Sequence, residues 1–141
     1  MIKDINPPVV ENIAIAVVLE KDDEENDVWN VYLINLKEEK IEGALVSSKG
    51  YGMHEDKKVK TSMLRHFLDE LEPKSSKKIE PISEKVFGLN NEYWVSFYLN
   101  KVMYDKKFVF LAETIKKENF TQIPVMNVKG VLICLLYTSD A

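Results

Sequence analysis

The residues of this 141-residue chain that could do chemistry are few: two histidines, one arginine, a short run of carboxylates and a Gly-x-Gly. His54 and His66 are far apart in the chain, and neither has a second ligand at metal-binding spacing. They could meet a carboxylate only in space, so both read as structural or solvated. Asp69, Glu70 and Glu72 form a carboxylate cluster. Paired carboxylates do acid–base work when one has a raised pKa, but these sit in a polar stretch and read as a solvated face. The run KDDEEND (21–27) is acidic, yet it has none of the alternating ligands, central Gly and closing Glu of a calcium loop. Gly50-Tyr51-Gly52 has no third Gly with a following helix, and no Gly-Lys-Ser/Thr. It is therefore read as a turn, in a loop running to Lys58, rather than as a phosphate cradle. These residues give no catalytic set and no cofactor or metal site.

Charge narrows the partner. The net charge is −4, with lysines and acids interspersed, and nucleic-acid binders usually show a basic patch or high pI. Of the 19 basic residues 18 are Lys, and Arg65 is the single arginine, so no site built on several bidentate guanidinium groups exists within the chain. Lys57, Lys58, Lys60 and Arg65 near Tyr51 could track a single strand, but Glu55 and Asp56 lie beside them. Nucleic acid is accordingly disfavoured. The candidate interaction surface is Lys49, Gly50, Tyr51, Gly52 and Arg65, chosen on residue type and a loop position.

The elements that must position these residues are strands. Residues 93–99 alternate Tyr93, Val95, Phe97 and Leu99 against Trp94, Ser96 and Tyr98, and residues 102–111 alternate likewise. Period two in aromatic and β-branched residues predicts strands. The polar Asn100-Lys101 break predicts a β-hairpin, the centre of a sheet. The aromatics read as core and cross-strand packing, with an exposed binding strip as the functional alternative. Residues 12–20, NIAIAVVLE, are apolar on both faces, as suits a strand covered on both sides. Residues 28–36 and 41–49 are further strands, and Gly43 marks a bulge in the latter. Residues 59–72 fit a strand, or a helix over 62–71 capped by Ser62 with Leu64, Leu68 and Leu71 on one stripe; the strand is preferred. Strands follow over 77–82 and after Pro124, and 113–120 has mild helical character. The pattern predicts an all-β, mainly antiparallel, immunoglobulin-like β-sandwich of about seven strands.

One domain is expected at this length, spanning residues 12–133 behind an extended lead-in over 1–11 that contains Pro7 and Pro8. No run of 18 apolar residues appears, so no membrane helix is expected, and the N-terminus lacks a signal-peptide core; a cytoplasmic location is the default. Residues 134–141, CLLYTSDA, resemble the translation of a transposase-type sequencing adapter, which makes them a non-native tail. Removing them takes away the only cysteine, Cys134, and leaves 22 acids against 19 bases. A disulfide, a thiol nucleophile and a zinc cluster then have no residues to form them.

The runs VYLINLKEEKIEGALVSSKGYG, KTSMLRHF, LNNEYWVSFYLNKVMYDKKFVF and PVMNVKGVLI resemble a family of small bacterial proteins of about this length, over nearly all of residues 2–133. Some members carry the name phenylalanyl-tRNA synthetase alpha subunit. A class II synthetase core holds ATP with arginines on two separate motifs; this chain has Arg65 alone and no Gly-rich motif ending in Arg. No functional residue carries over. The expectation is a non-enzymatic protein that binds a protein partner, with a synthetase-related accessory protein as the alternative and weak nucleic-acid binding as a further one.

Overall fold

The computed structural model describes residues 9–135, Leu135 by its backbone alone. Within them ten strands form two antiparallel sheets. In chain order these are β1 (Ile13–Lys21), β2 (Asp27–Asn35), β3 (Ile41–His54), β4 (Lys57–Lys60), β5 (Leu64–Leu71), β6 (Ser75–Ile82), β7 (Asn90–Leu99), β8 (Val102–Phe110), β9 (Thr121–Ile123) and β10 (Val128–Leu135). The first sheet runs β6-β2-β1-β10-β9. The second runs β4-β3-β7-β8, with β5 also pairing β3. β4 takes the Tyr51–His54 end of β3 and β5 takes its Ile41–Ser48 end, both on the edge opposite β7. The all-β antiparallel expectation is borne out. The strand count is higher than about seven because β3 continues beyond residue 49 to pair with β4, and Pro124 splits the last segment into β9 and β10.

Alternation fills the space between the sheets. Tyr93, Val95 and Phe97 of β7 and Phe108 and Phe110 of β8 are buried against Ile13, Ile15 and Val17 of β1 and Val31 and Leu33 of β2. Fully burying side chains of this kind is worth about 1.5–3 kcal/mol each. β1 is covered on both faces, as its composition implied: Ala14, Ala16 and Val18 pack with Ile34 and Ile123 on the other side. The small side chain at Gly130 is required there, since a Cβ at that position would lie 2.4 Å from the Val17 carbonyl oxygen.

The central hairpin is in place. Leu99 pairs with Val102, and Asn100 and Lys101 both have positive φ, at +52° and +66°. That is the two-residue turn with left-handed residues at both central positions, whose twist matches the flanking strands. Gly43 lies at φ +59° where the β3 register shifts, which makes it the expected bulge. A Cβ there would sit 3.2 Å from the Tyr98 ring. The acidic β1–β2 turn closes through Asp22, whose carboxylate accepts from the Glu24 and Asn26 amides at 2.8 and 2.9 Å. The Asn26 amide is the main reason its pKa falls below the usual carboxylate value.

The preferred strand reading of residues 59–72 holds, as β4 and β5 with a break at 61–63, and the alternative helix over 62–71 is absent, because pairing along β3 satisfies the backbone and overrides the leucine spacing. Two local expectations are corrected. Residues 113–120 hold only the one-turn 3₁₀ segment Lys117–Asn119. Gly50-Tyr51-Gly52 is not a loop but part of β3, flanked by β7 on one side and approached by β4 on the other; the positive-φ turn falls at Glu55-Asp56 instead. Cys134 and Leu135 continue β10 opposite Ala14 and Ile13. Residues 136–141, the rest of the segment resembling an adapter, and residues 1–8 of the lead-in lie outside the described residues.

Candidate interaction face and Glu80 cluster

Register assigns the side chains of the second sheet to its two faces. The cross-strand row Arg65–Ser47–Trp94–Lys107 runs over β5, β3, β7 and β8. A parallel row is Phe67–Leu45–Ser96–Asp105, and Tyr98 stands beside Met103. These residues point away from the core. Phe67 is 67%, Met103 51%, Tyr98 47% and Trp94 45% exposed. Trp94 and Met63 wall a shallow depression of about 280 Å³, with Lys49 and Glu92 at its rim. The strands beneath hold this face rigidly, since every β7 residue from Asn91 to Leu99 is paired with β8.

The five expected interaction residues divide between two surfaces. Lys49 and Tyr51 alternate outward on β3, with the Lys49 ammonium 6.0 Å from the Tyr51 ring centroid. Arg65 is exposed on the same face, opposite Ser47. Gly50 and Gly52 have the opposite parity. Gly50 is buried, its N–H donates to Thr61 Oγ1 at 2.8 Å, and it borders the cleft on the core side. Reading residues 50–52 as a loop hid this division. Trp94 and Tyr98 alternate against the core residues of β7 and match the exposed strip that was the alternative to core packing. Phe67 and Met63 were not singled out, although their alternation with Arg65 puts all three on one side.

Behind Gly50 lies a polar cluster that the sequence does not show. Glu80 accepts from Ser48 Oγ at 2.9 Å and from His66 Nε2 at 2.7 Å on one oxygen, and from the Tyr93 hydroxyl at 3.0 Å on the other. A bulge aims it. Val31 pairs with Glu80 and Tyr32 with Lys78, so Ile79 is the extra residue of β6. Both Ile79 and Glu80 then turn inward, Ile79 to the core and Glu80 toward the other sheet. Burial, and then the Glu80 carboxylate, hold the Tyr93 phenol well above its ordinary pKa. The cluster borders a cleft of about 370 Å³ between β6 and the second sheet.

This geometry is not a nucleophile relay. In a Ser-His-acid triad the imidazole stands between the hydroxyl and the carboxylate and takes the serine proton. Here the carboxylate stands between them, and both hydrogens are directed at Glu80. The arrangement joins β3, β5 and β7 of one sheet to edge strand β6 of the other. His54, by contrast, is exposed at the β3–β4 turn, 3.5 Å from Glu55. Asp69, Glu70 and Glu72 are exposed on and just after β5. No group of three or more His, Cys, Asp or Glu among the described residues is placed to hold a metal ion. No described helix is long and apolar enough to cross a membrane. No family model matches the chain, and no curated protein and no solved structure matches it.

Proposed function

We propose that this protein is a non-catalytic protein-interaction module that docks its partner on the outer face of the second sheet. The observation that carries this reading is the grouping of Phe67, Trp94, Tyr98 and Met103 on one face, each close to half exposed or more. Exposed apolar side chains scattered singly need no explanation, but a contiguous group on one face marks an interaction site. The types also fit. Trp, Tyr, Phe, Met and Arg are the residues enriched at protein interfaces, and Trp, Tyr and Arg dominate their hot spots. The chain's one arginine shares a row with its exposed tryptophan.

The test is quantitative affinity purification of the tagged chain from its natural host, comparing the wild type with a Phe67→Ser/Trp94→Ala variant and with Lys78→Ala on the outer face of the first sheet. A protein recovered stoichiometrically by the wild type and Lys78→Ala, and reduced at least about tenfold by the double variant, is expected from the loss of two anchors. Equal recovery by all three would sink the reading.

A further inference from the structure

The charges around the aromatic group specify the partner's chemistry, an inference that rests on the interaction reading above. The cations on the outer face of the second sheet are Lys49, Lys58, Lys60, Arg65 and Lys107, by alternation along β3, β4, β5 and β8. The carboxylates on this face are Glu92 and Asp105 and, at the Tyr98 end, Glu42 and Glu70, which share Lys40. In a chain of net charge −4, positive charge therefore gathers in excess at the β4 end of this face, while Glu42 and Glu70 hold the opposite end.

The excess is not uniform. Glu92 lies between Lys49 and Lys107, 3.9 and 4.0 Å from their ammonium groups, and its side chain is only 12% exposed. Those two cations share one carboxylate, which offsets one of their two charges. Arg65, Lys58 and Lys60 have no carboxylate within ion-pair distance among the described residues. Arg65 stands beside the depression that Trp94 and Met63 wall, opposite its Ser47, and Lys58 and Lys60 line the neighbouring hollow with Tyr51 and Met53. A dent with Trp94 and Met63 as its apolar walls, and unbalanced cations toward β4, matches a ligand with an apolar anchor and carboxylates on one side of it.

We infer that the partner presents an acidic peptide segment, with an aromatic or aliphatic side chain seated between Trp94 and Met63 and Asp or Glu residues facing Arg65, Lys58 and Lys60. A nucleic-acid strand fits less well. Its phosphates would cross Glu92 and Asp105 in the middle of the face and Glu42 at its Tyr98 end. Complementary charge of this kind steers encounter and fixes orientation, while the buried anchor supplies most of the affinity.

The experiment is selection of a random displayed peptide library on the immobilised full chain, followed by titration of the enriched peptides and of a labelled oligothymidylate in solution. Enriched sequences carrying Asp or Glu around a Trp, Phe or Leu are expected. Trp94→Ala should weaken them about tenfold or more, and Lys60→Glu/Arg65→Glu should weaken them several-fold and flatten their salt dependence. Each change is at an exposed side chain, and an unchanged thermal midpoint verifies the fold. Neutral or basic peptides lost on Trp94→Ala overturn the acidic assignment while leaving the interaction face in place. Acidic peptides indifferent to Trp94→Ala overturn the face itself. Oligothymidylate binding with a steep salt slope, without peptide enrichment, overturns both readings, as does enrichment of nothing.

Discussion

Glu80 shows what a single half-buried residue can do between two sheets. Its carboxylate has three donors from three strands, and hydrogen bonds to a charged acceptor are worth about 1.5–3 kcal/mol each. Glu80→Gln keeps the size but turns part of the acceptor into a donor that faces other donors. Unfolding in urea should show a loss of about 2 kcal/mol, with Tyr93 and Ser48 left partly unsatisfied. Alkaline pH probes the same packing through the phenols. Burial, reinforced by Glu20, pushes Tyr32 up from 10.0 to about 12, and Tyr93 is raised further. The unfolded chain therefore gives up these protons first. The stability tied to the protonated phenols is complete below pH 10 and is lost as pH rises from 10 toward 12. Denaturant midpoints should fall over that window, and Tyr32→Phe and Tyr93→Phe should each flatten the fall. None of this was legible in the sequence. Glu80 carries no signal of its own, since its partners arrive from β3, β5 and β7 and its direction depends on a bulge at Ile79.

Elements were the most legible scale, and the exceptions have local causes. Two apolar runs around Asn100-Lys101 specified a hairpin because period two and a short polar break leave few other solutions. Gly43 was recognisable as a bulge because a strand tolerates an interior Gly only for such a reason. Residues 62–71 carry helical leucine spacing and strand alternation together, and pairing along β3 decides between them. Glycines 50 and 52 were misread as a loop because β3 runs through them for 14 residues in all, longer than their composition suggests. Two substitutions test the element account. Lys101→Gly removes a side chain from a left-handed position, where an L-residue is disfavoured by about 1–2 kcal/mol, so the unfolding free energy should rise by up to about 1 kcal/mol with an unchanged denaturant slope. Gly43→Ala places a Cβ at φ +59° and 3.2 Å from the Tyr98 ring. It should lower stability by about 1–2 kcal/mol and displace Tyr98 on the outer face, so it should also weaken partner binding.

At the scale of the whole molecule, the proposed docking site is what two stacked sheets leave uncovered. The inner faces bury the aromatics that alternation assigned to the core, and the outer face of the second sheet keeps the remainder. That separation was half legible. Trp94 and Tyr98 could be placed opposite the core residues of β7, but no sequence pattern tells whether another element will cover them. The proposed docking site is this face and not the Glu80 cleft. The most direct measurement is photo-crosslinking in the natural host, with benzoylphenylalanine placed singly at Phe67, at Met103, at Lys78 and at Ser62 beside the cleft. A single shared crosslinked protein from Phe67 and Met103, and none from Lys78 or Ser62, is the predicted result. Crosslinks from Ser62 or Lys78, with Phe67 and Met103 silent, would contradict it.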